Sequence, residues 1–239
     1  MGGNTLLEFR MLGFNVRLDT SWIFIAGLII WSLATRYLPY VLPNYYAAFY
    51  WLLAVAGAAG FFLSILLHEM GHAVTARRFG IPVMGVTLLM FGGITQMARR
   101  AKSPKEEILI SGAGPLVNFL LGCLFLALAG LARSLDLSAP ILVILNYLSW
   151  INFILAIINM VPAFPLDGGQ IFRAIMWKFL GDYPKATRIA ARIGMVFSYA
   201  LMAWAAWSLV RGNYIGGLWW FFIAIMLHNA AKAAVQYYK

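Results

Sequence analysis

Charge is scarce in this sequence, and acidic charge is the scarcest kind. Of 239 residues only 8 are Asp or Glu, against 18 Lys or Arg, and charged residues make up 11% of the chain. Soluble domains are about one quarter charged and about one half apolar. Here 63% of the residues are hydrophobic and the mean hydropathy is +0.82. The composition therefore argues against a soluble enzyme, a disordered chain and a nucleic-acid-binding protein, and it favours an integral membrane protein.

Cysteine is almost absent as well. A single residue, Cys123, excludes an intrachain disulfide. Its neighbours are Gly122, Leu124 and Phe125, and we expect it to be a small buried apolar residue.

Long apolar segments occupy most of the chain. A membrane-spanning helix needs about 20 largely apolar residues. Six candidate spans are Ser21–Leu38, Tyr46–Ala76, Ile108–Leu131, Ile141–Ile158 continuing to about Trp177, Ile189–Val210, and Ile215–Ala231. With the N-terminus in the cytoplasm, 15 of the 18 Lys and Arg residues fall in inside segments, and only Arg36, Arg133 and Arg211 fall outside. Because basic residues collect on the cytoplasmic side, this asymmetry favours six spans with both termini inside, over five or seven.

Two short segments have the pattern of β-hairpins. Residues 6–18 alternate polar and apolar side chains around a turn at Leu12-Gly13, and residues 83–97 contain β-prone runs on either side of Gly92-Gly93, which predicts a second turn. Both fall on the cytoplasmic side, and an open sheet edge cannot face lipid. The predicted fold is therefore an all-α polytopic membrane protein with six transmembrane helices and a small cytoplasmic-side β-sheet, forming one domain over residues 1–239.

The strongest motif is His68-Glu69-Met70-Gly71-His72, inside the second span. Histidines four residues apart share one face of a helix, so both imidazoles can reach one metal ion. The glutamate between them is a candidate general base for hydrolysis. The pattern could arise by chance, but such residues are rare within a span unless they face an interior site.

Catalytic zinc usually has three protein ligands and one open position, so a third ligand is needed beside the two histidines. We expect His228, near the inside end of the last span, to be a satisfied interface histidine. The acids that belong to loops or span edges are Glu8, Asp19, Glu106, Glu107, Asp136 and Asp182. Asp167 remains as the only other acid within a span. His68 precedes Arg77 by 9 positions and Asp167 precedes Lys178 by 11, which is about 14 and 16 Å of helix and puts both at one depth.

The sequence around Asp167 cannot continue a regular helix. Residues 159–169 contain Pro162 and Pro165 and end in Gly168-Gly169. Prolines and glycines at this density break a helix, and exposed backbone inside a membrane is tolerated only where it lines a cavity or is buried in protein. A simple proline kink is the alternative, but a broken helix with an acid at the break describes the segment better.

Three motifs in chain order together resemble the site-2 protease family of intramembrane zinc metalloproteases, over nearly the whole chain. They are His68-Glu69-x-x-His72, Gly114-Pro115-Leu116-Val117-Asn118, and Asn159 followed by Pro162 and by Pro165-Leu166-Asp167-Gly168. The resemblance implies that His68, His72 and Asp167 bind one zinc ion per chain. It also implies that Glu69 activates water.

The resemblance extends to residues around that centre. It implies that Asn159 binds the substrate carbonyl or its oxyanion and that Asn118 supports the site. The strands around Gly92 and Gly93 resemble the family's sheet near the active site, and Pro165 belongs to the third motif. The resemblance is closest to compact members, so we expect neither a PDZ domain nor a C-terminal regulatory domain.

The expected reaction is hydrolysis of a peptide bond within or near a transmembrane segment of a membrane-protein substrate. We expect a multi-pass protein of the plasma membrane whose active site lies toward the cytoplasm, with an unwound substrate segment added as a strand to residues 83–97. A regulatory partner is compatible with this reaction. A nucleic-acid partner is not expected, because the basic run Arg99-Arg100-Ala101-Lys102 suits an anionic leaflet.

Two other functions are compatible with the same residues. A metal-ion transporter could use the two histidines and Asp167 as a transit site, but it predicts polar residues on both sides of that site. The outer half of the second span, Trp51–Phe62, contains only Ala, Gly, aliphatic and aromatic residues. An inactive scaffold that binds membrane helices is the second alternative, although all four catalytic-type residues are present.

Overall fold

A computed structural model of the chain describes residues 5–90 and 92–237. Helices dominate it, with four short strands near its start. The elements are β1 (Thr5–Met11), β2 (Phe14–Asp19), α1 (Ser21–Ser32), a π-helical turn (Leu33–Tyr37), α2 (Leu38–Val41), α3 (Ala47–Arg78), β3 (Val83–Leu89), β4 (Gly92–Met97), α4 (Pro104–Ser134), α5 (Ala139–Asn159), α6 (Asp167–Leu180), α7 (Tyr183–Val210) and α8 (Tyr214–Tyr237).

Six helical segments within the described residues are long and apolar enough to cross a membrane, as predicted. They are Ser21–Val41, Ala47–Arg78, Pro104–Ser134, Ala139–Asn159, Tyr183–Val210 and Gly216–Tyr237. The fourth ends at Asn159, so the expected continuation to Trp177 as one span is wrong, and the predicted break in the helix before Asp167 is confirmed. The prolines that follow cannot propagate a helix, and the chain re-forms a helix only as α6, whose 14 residues are too few to span a bilayer.

The four strands form one sheet in the order β1-β2-β3-β4, with β2 and β3 parallel and the other two pairs antiparallel. The predicted turn at Leu12-Gly13 is confirmed: their φ angles are 52° and 86°, and tight hairpin turns of this kind require positive φ at both central residues. The predicted turn at Gly92-Gly93 is wrong. Both glycines belong to β4, where Gly92 pairs with Leu89 and Gly93 with Leu88.

One face of the sheet packs on the C-terminal half of α3. Val16 pairs with Val86 and Val86 pairs with Thr95, and the two valines are fully buried. The core between sheet and helix consists of Phe14, Val16, Leu66, Met70, Ala73, Val86 and Leu88. Burying one such side chain contributes about 1.5–3 kcal/mol, so this core fixes the sheet against the helix that carries the histidine motif.

The opposite face of the sheet carries an exposed ion pair. Arg17 pairs there with Glu8 at 3.1 Å, and both side chains are about half exposed. Asp19 ends β2, and the pKa of its carboxyl lies below its ordinary value. The main cause is a hydrogen bond from the Ser21 hydroxyl, and a hydrogen bond from the Ser21 backbone N–H is the second. This contact joins the sheet to the first span.

Contacts divide the chain into two compact units, Met1–Arg100 with Ala113–Ala156, and Ala101–Gly112 with Ile157–Lys239. In the first unit, α3, α4 and α5 are joined by polar bonds inside the apolar layer. Asn152 donates to the Ser64 hydroxyl at 2.9 Å, and the Ser149 hydroxyl donates to the Gly122 carbonyl at 2.9 Å. Such interhelical hydrogen bonds between small and polar residues are typical of packed membrane helices. Cys123, which was expected to be buried, is exposed on α4.

In the second unit, α7 and α8 pack against each other. The ring Nδ1 of His228 lies 3.2 Å from the Ser198 hydroxyl, and its ring centroid lies 4.9 Å from that of Tyr199. Because this histidine already has partners within its helix pair, its surroundings agree with the expectation of a satisfied residue.

Candidate active site

Helix α3 brings His68 and His72 together on one buried face. The two side chains are 6% and 7% exposed, and their Nε2 atoms lie 3.1 Å apart. Two nitrogen ligands of a tetrahedral zinc ion, each about 2.0–2.1 Å from the metal, would be about 3.3 Å apart. The spacing of the two donor atoms therefore fits one shared ion.

Helix α4 closes one side of this pair through Gly114. A Cβ atom at Gly114 would overlap the Nε2 atom of His72 and would lie 2.6 Å from that of His68. Only a residue without a side chain allows this approach. The first residue of the Gly-x-x-x-Asn motif thus leaves the space at the two donor nitrogens open, which a metal ion requires.

Asn118 lies one helical turn beyond Gly114, on the same side of α4. It is 1% exposed, and its Oδ1 atom has no hydrogen-bond partner among the described residues. Buried amide oxygens are nearly always hydrogen-bonded. This oxygen is therefore available to a donor such as water.

Strand β4 lies directly over Glu69. The Thr95 hydroxyl donates to Oε2 of the Glu69 carboxylate at 2.8 Å, and Glu69 is 7% exposed. A Cβ atom at Gly93 would lie 2.7 Å from Oε1 and closer still to other atoms of the same side chain. Gly93 therefore serves the close approach of strand and helix, a role within the strand and not within a turn.

Asp167 belongs to the second unit, is 8% exposed and is the first residue of α6. Residues 160–166 connect it to Asn159, the last residue of α5. Three glycines allow neighbouring backbone to pack closely against this connection. Cβ atoms at Gly168 and Gly169 would collide with its backbone, and one at Gly194 of α7 would collide with the Phe164 carbonyl oxygen. The Leu-Asp-Gly-Gly sequence thus lets a helix start directly against the loop that precedes it.

The remaining predicted residues lie along the same connection. Asn159 and Pro165 are both partly buried, and the side-chain amide of Gln170 lies 3.4 Å from the Pro165 carbonyl oxygen.

His68, His72 and Asp167 are all buried, and each carries an atom able to bind a metal. Two imidazoles and a carboxylate are the chemistry of a catalytic zinc site, so the donor set fits this ion.

Sequence reasoning missed a buried ion pair in the second unit. Arg173 of α6 donates from Nε and Nη2 to one oxygen of Glu107, at 2.6 and 2.5 Å. Its guanidinium also lies 5.1 Å from the ring centroids of Phe164 and Tyr183. The pair therefore ties the start of α4 to the loop before Asp167 and to the start of α7. The two charges are 66 positions apart in the chain, and no local pattern links them.

Replacing Gly114 with Ala should weaken zinc binding by about 10–100-fold, a range typical of changes next to a metal site, because the new methyl group would occupy the space at the donor nitrogens. Gly112→Ala is the matched control, since the nearest atom to its Cβ, on Ile171, is 4.0 Å away. Zinc titration of the purified variants measures both. Wild-type zinc affinity in Gly114→Ala would contradict the assignment.

Arg173→Met should lower the free energy of unfolding by about 3–5 kcal/mol, because Glu107 would remain buried without its counter-charge. The double variant Glu107→Gln/Arg173→Met should recover part of this loss. The exposed pair of Glu8 and Arg17 provides the control: Arg17→Met should cost about 0–1 kcal/mol. Denaturant unfolding in detergent micelles measures all three, and equal losses at the two pairs would show that burial of the ion pair is unimportant.

The chain matches a known protein family. The family model of peptidase family M50 matches residues 56–139 and 132–201. Rip3 of Mycobacterium tuberculosis, described as a zinc metalloprotease, is 39% identical over 223 residues, which is 93% of this chain and 56% of that protein. A zinc metalloprotease of Methanocaldococcus jannaschii is 38% identical over 149 residues, covering 62% of this chain and 42% of that protein.

Stage IV sporulation protein FB of Bacillus subtilis is 28% identical over 178 residues, covering 71% of this chain and 59% of that protein. The chain thus spans 42–59% of the length of these three relatives. Among solved structures, the site-2 protease from Methanocaldococcus jannaschii is similar, with a TM-score of 0.63 and 27% sequence identity over 96% of this chain and 94% of that chain. The family model spans more than half of the chain, and the chain belongs to peptidase family M50, the site-2 protease family of membrane metalloproteases.

Proposed function

We propose that this multi-pass membrane protein is a zinc endopeptidase that cleaves a membrane-protein substrate within or near a transmembrane segment. The observation that carries the proposal is the buried histidine pair of α3. Its Nε2 atoms lie 3.1 Å apart against Gly114, and the buried carboxylate of Glu69 is next to them in the chain.

His68, His72 and Asp167 are the proposed ligands of one zinc ion per chain. Three protein ligands leave a fourth position for water or substrate. When bound, zinc polarises a carbonyl group and makes water acidic enough to react near neutral pH. The histidines belong to the first unit and Asp167 to the second, so this proposal makes both units parts of one protease domain.

Glu69 is the proposed proton carrier. Its carboxylate takes a proton from the attacking water and returns it to the amine of the departing segment. The side-chain amide of Asn159 donates a hydrogen bond to the oxygen that becomes negative as water adds to the carbonyl. Asn118 has a supporting part, since its buried Oδ1 atom can accept a hydrogen bond from water.

Strand β4 is the proposed holder of the substrate. A helical substrate has its backbone groups paired internally, so the segment around the cleaved bond must unwind. β4 is an edge strand of the sheet and lies over the proposed base, and its Gly92 and Gly93 begin it without side chains. An extended peptide can pair with such an edge through its main chain. Pro165, in the loop before Asp167, belongs to the same substrate-binding region in this proposal.

The proposed orientation places both termini and the active site on the cytoplasmic side of the plasma membrane. The distribution of basic residues supports it, because 15 of the 18 would then lie inside. A regulatory partner would act from the same side.

Glu69→Gln should abolish cleavage and leave zinc bound at one ion per chain, because the amide cannot take up the proton. Glu8→Gln, on the exposed face of the sheet, is the matched control and should cleave as the wild type does. The assay uses purified protein in liposomes with single-span reporter peptides that carry a Gly-Pro pair in the span, together with metal analysis of each variant. Cleavage by Glu69→Gln, or no cleavage of any reporter by the wild type, would contradict the proposal.

Strand addition to β4 should be visible by disulfide cross-linking. In a Cys123→Ala background that also carries Glu69→Gln, cysteines at Ile94 and Gln96 should cross-link to a reporter with one cysteine near its Gly-Pro pair. Both positions are exposed on β4. A cysteine at Glu8 on β1, the other edge strand, should not react. Equal cross-linking at the two edges would exclude a specific substrate strand on β4.

A further inference from the structure

We propose that Thr95 is a positioning residue that holds the carboxylate of Glu69 in its working orientation, an inference that rests on the proposed role of Glu69 as the base. The Thr95 hydroxyl lies 2.8 Å from Oε2 of Glu69 and 3.3 Å from its backbone oxygen. A threonine hydroxyl has one hydrogen to donate. The shorter distance assigns that hydrogen to the carboxylate, where a bond to a charged acceptor is the stronger one.

The position of the Thr95 hydroxyl is fixed by the core of the sheet. Thr95 pairs with Val86, and Val86 pairs with Val16. Both valines are fully buried against α3. Threonine is also branched at Cβ, which restricts its first side-chain torsion. The donor is therefore held by strand pairing and by packing, and it does not depend on the conformation of a long side chain.

The Glu69 side chain is long, and without contacts it would sample many rotamers. Two residues of β4 restrict it. Gly93 lets the strand come so close that a Cβ atom there would overlap the Glu69 side chain, and Thr95, two residues later on the same face, binds Oε2. With Oε2 held by Thr95, Oε1 is the oxygen left to take the proton from water. Thr95 thus determines which carboxylate oxygen acts as the base.

This arrangement connects substrate binding to the chemistry. In the proposed function the outer edge of β4 pairs with the substrate backbone, and its inner face holds the base. Loss of the hydroxyl should therefore reduce the rate of the chemical step and leave substrate affinity nearly unchanged.

The experiment compares Thr95→Val, which keeps the shape and removes the hydroxyl, with Thr95→Ser, which keeps the hydroxyl. Thr95→Val should lower kcat by about 10–100-fold, the loss expected when a catalytic group is misplaced by about an ångström. Its KM and zinc content should stay within about twofold of the wild type, since neither substrate contacts nor metal ligands change. Thr95→Ser should retain most of the activity. Thr87→Val on β3 is the matched control and should behave as the wild type, because the Thr87 hydroxyl contacts Gln96 and not Glu69.

A second measurement separates positioning from a general effect on the fold. In a Glu69→Asp background the carboxylate is one methylene too short to meet the Thr95 hydroxyl, so adding Thr95→Val should cause no further loss of the residual activity. An additive loss, a wild-type kcat in Thr95→Val, or a loss of zinc in that variant would each overturn the inference. These outcomes differ from failure of the proposed function itself, in which the wild type would not cleave or Glu69→Gln would.

Discussion

Burying a polar group inside an apolar layer is costly unless it has a polar partner, and the rest of this structure depends on that constraint. Leaving such a group unpaired costs several kcal/mol in a medium without water. The chain meets the constraint with helix-to-helix bonds such as that of Asn152 to Ser64, and with the ion pair of Glu107 and Arg173. Glu69 also has a partner, because the Thr95 hydroxyl of strand β4 donates a hydrogen bond to its carboxylate. The histidine pair follows the same principle, with a metal ion as the proposed partner.

Glycine lets neighbouring segments approach closely in each of the two units. In the first unit, Gly114 brings α4 close to the histidine nitrogens and Gly93 brings a strand onto Glu69. In the second unit, Gly168, Gly169 and Gly194 pack against the backbone before Asp167. These five glycines therefore share one physical role, since each lets a second segment approach a candidate functional residue or the backbone just before it. A substitution at such a glycine acts on the chemistry through geometry, without removing any reacting group.

Much of this could be predicted from the sequence, because the relevant information was local. The four-residue spacing of His68 and His72 identifies a shared helical face, and the scarcity of acids singles out Asp167. The features that could not be predicted depend on tertiary contacts between residues far apart in the chain. Gly92 and Gly93 have the composition of a turn, but Gly93 serves a contact with a residue 24 positions earlier in the chain. Thr95 has no feature in the sequence that distinguishes it from any other strand threonine, and its importance comes only from the register of β4 over α3.

The eight acids show why position along an apolar segment is an incomplete guide to function. Position in the sequence kept Glu69 and Asp167 as candidate functional acids, because both lie within predicted spans. It excluded Glu107, which lies near the start of α4. In the structure all three are buried, and they are the only buried acids of the eight, all of which lie within the described residues. Burial of an acid requires a dedicated partner wherever it occurs. Glu107 has Arg173, whose side chain is 11% exposed and which was predicted to be an ordinary cytoplasmic charge. That pair contacts the ring of Phe164, three residues before Asp167. The third buried acid thus acts on the candidate centre indirectly, by fixing the loop from which the proposed metal ligand begins its helix.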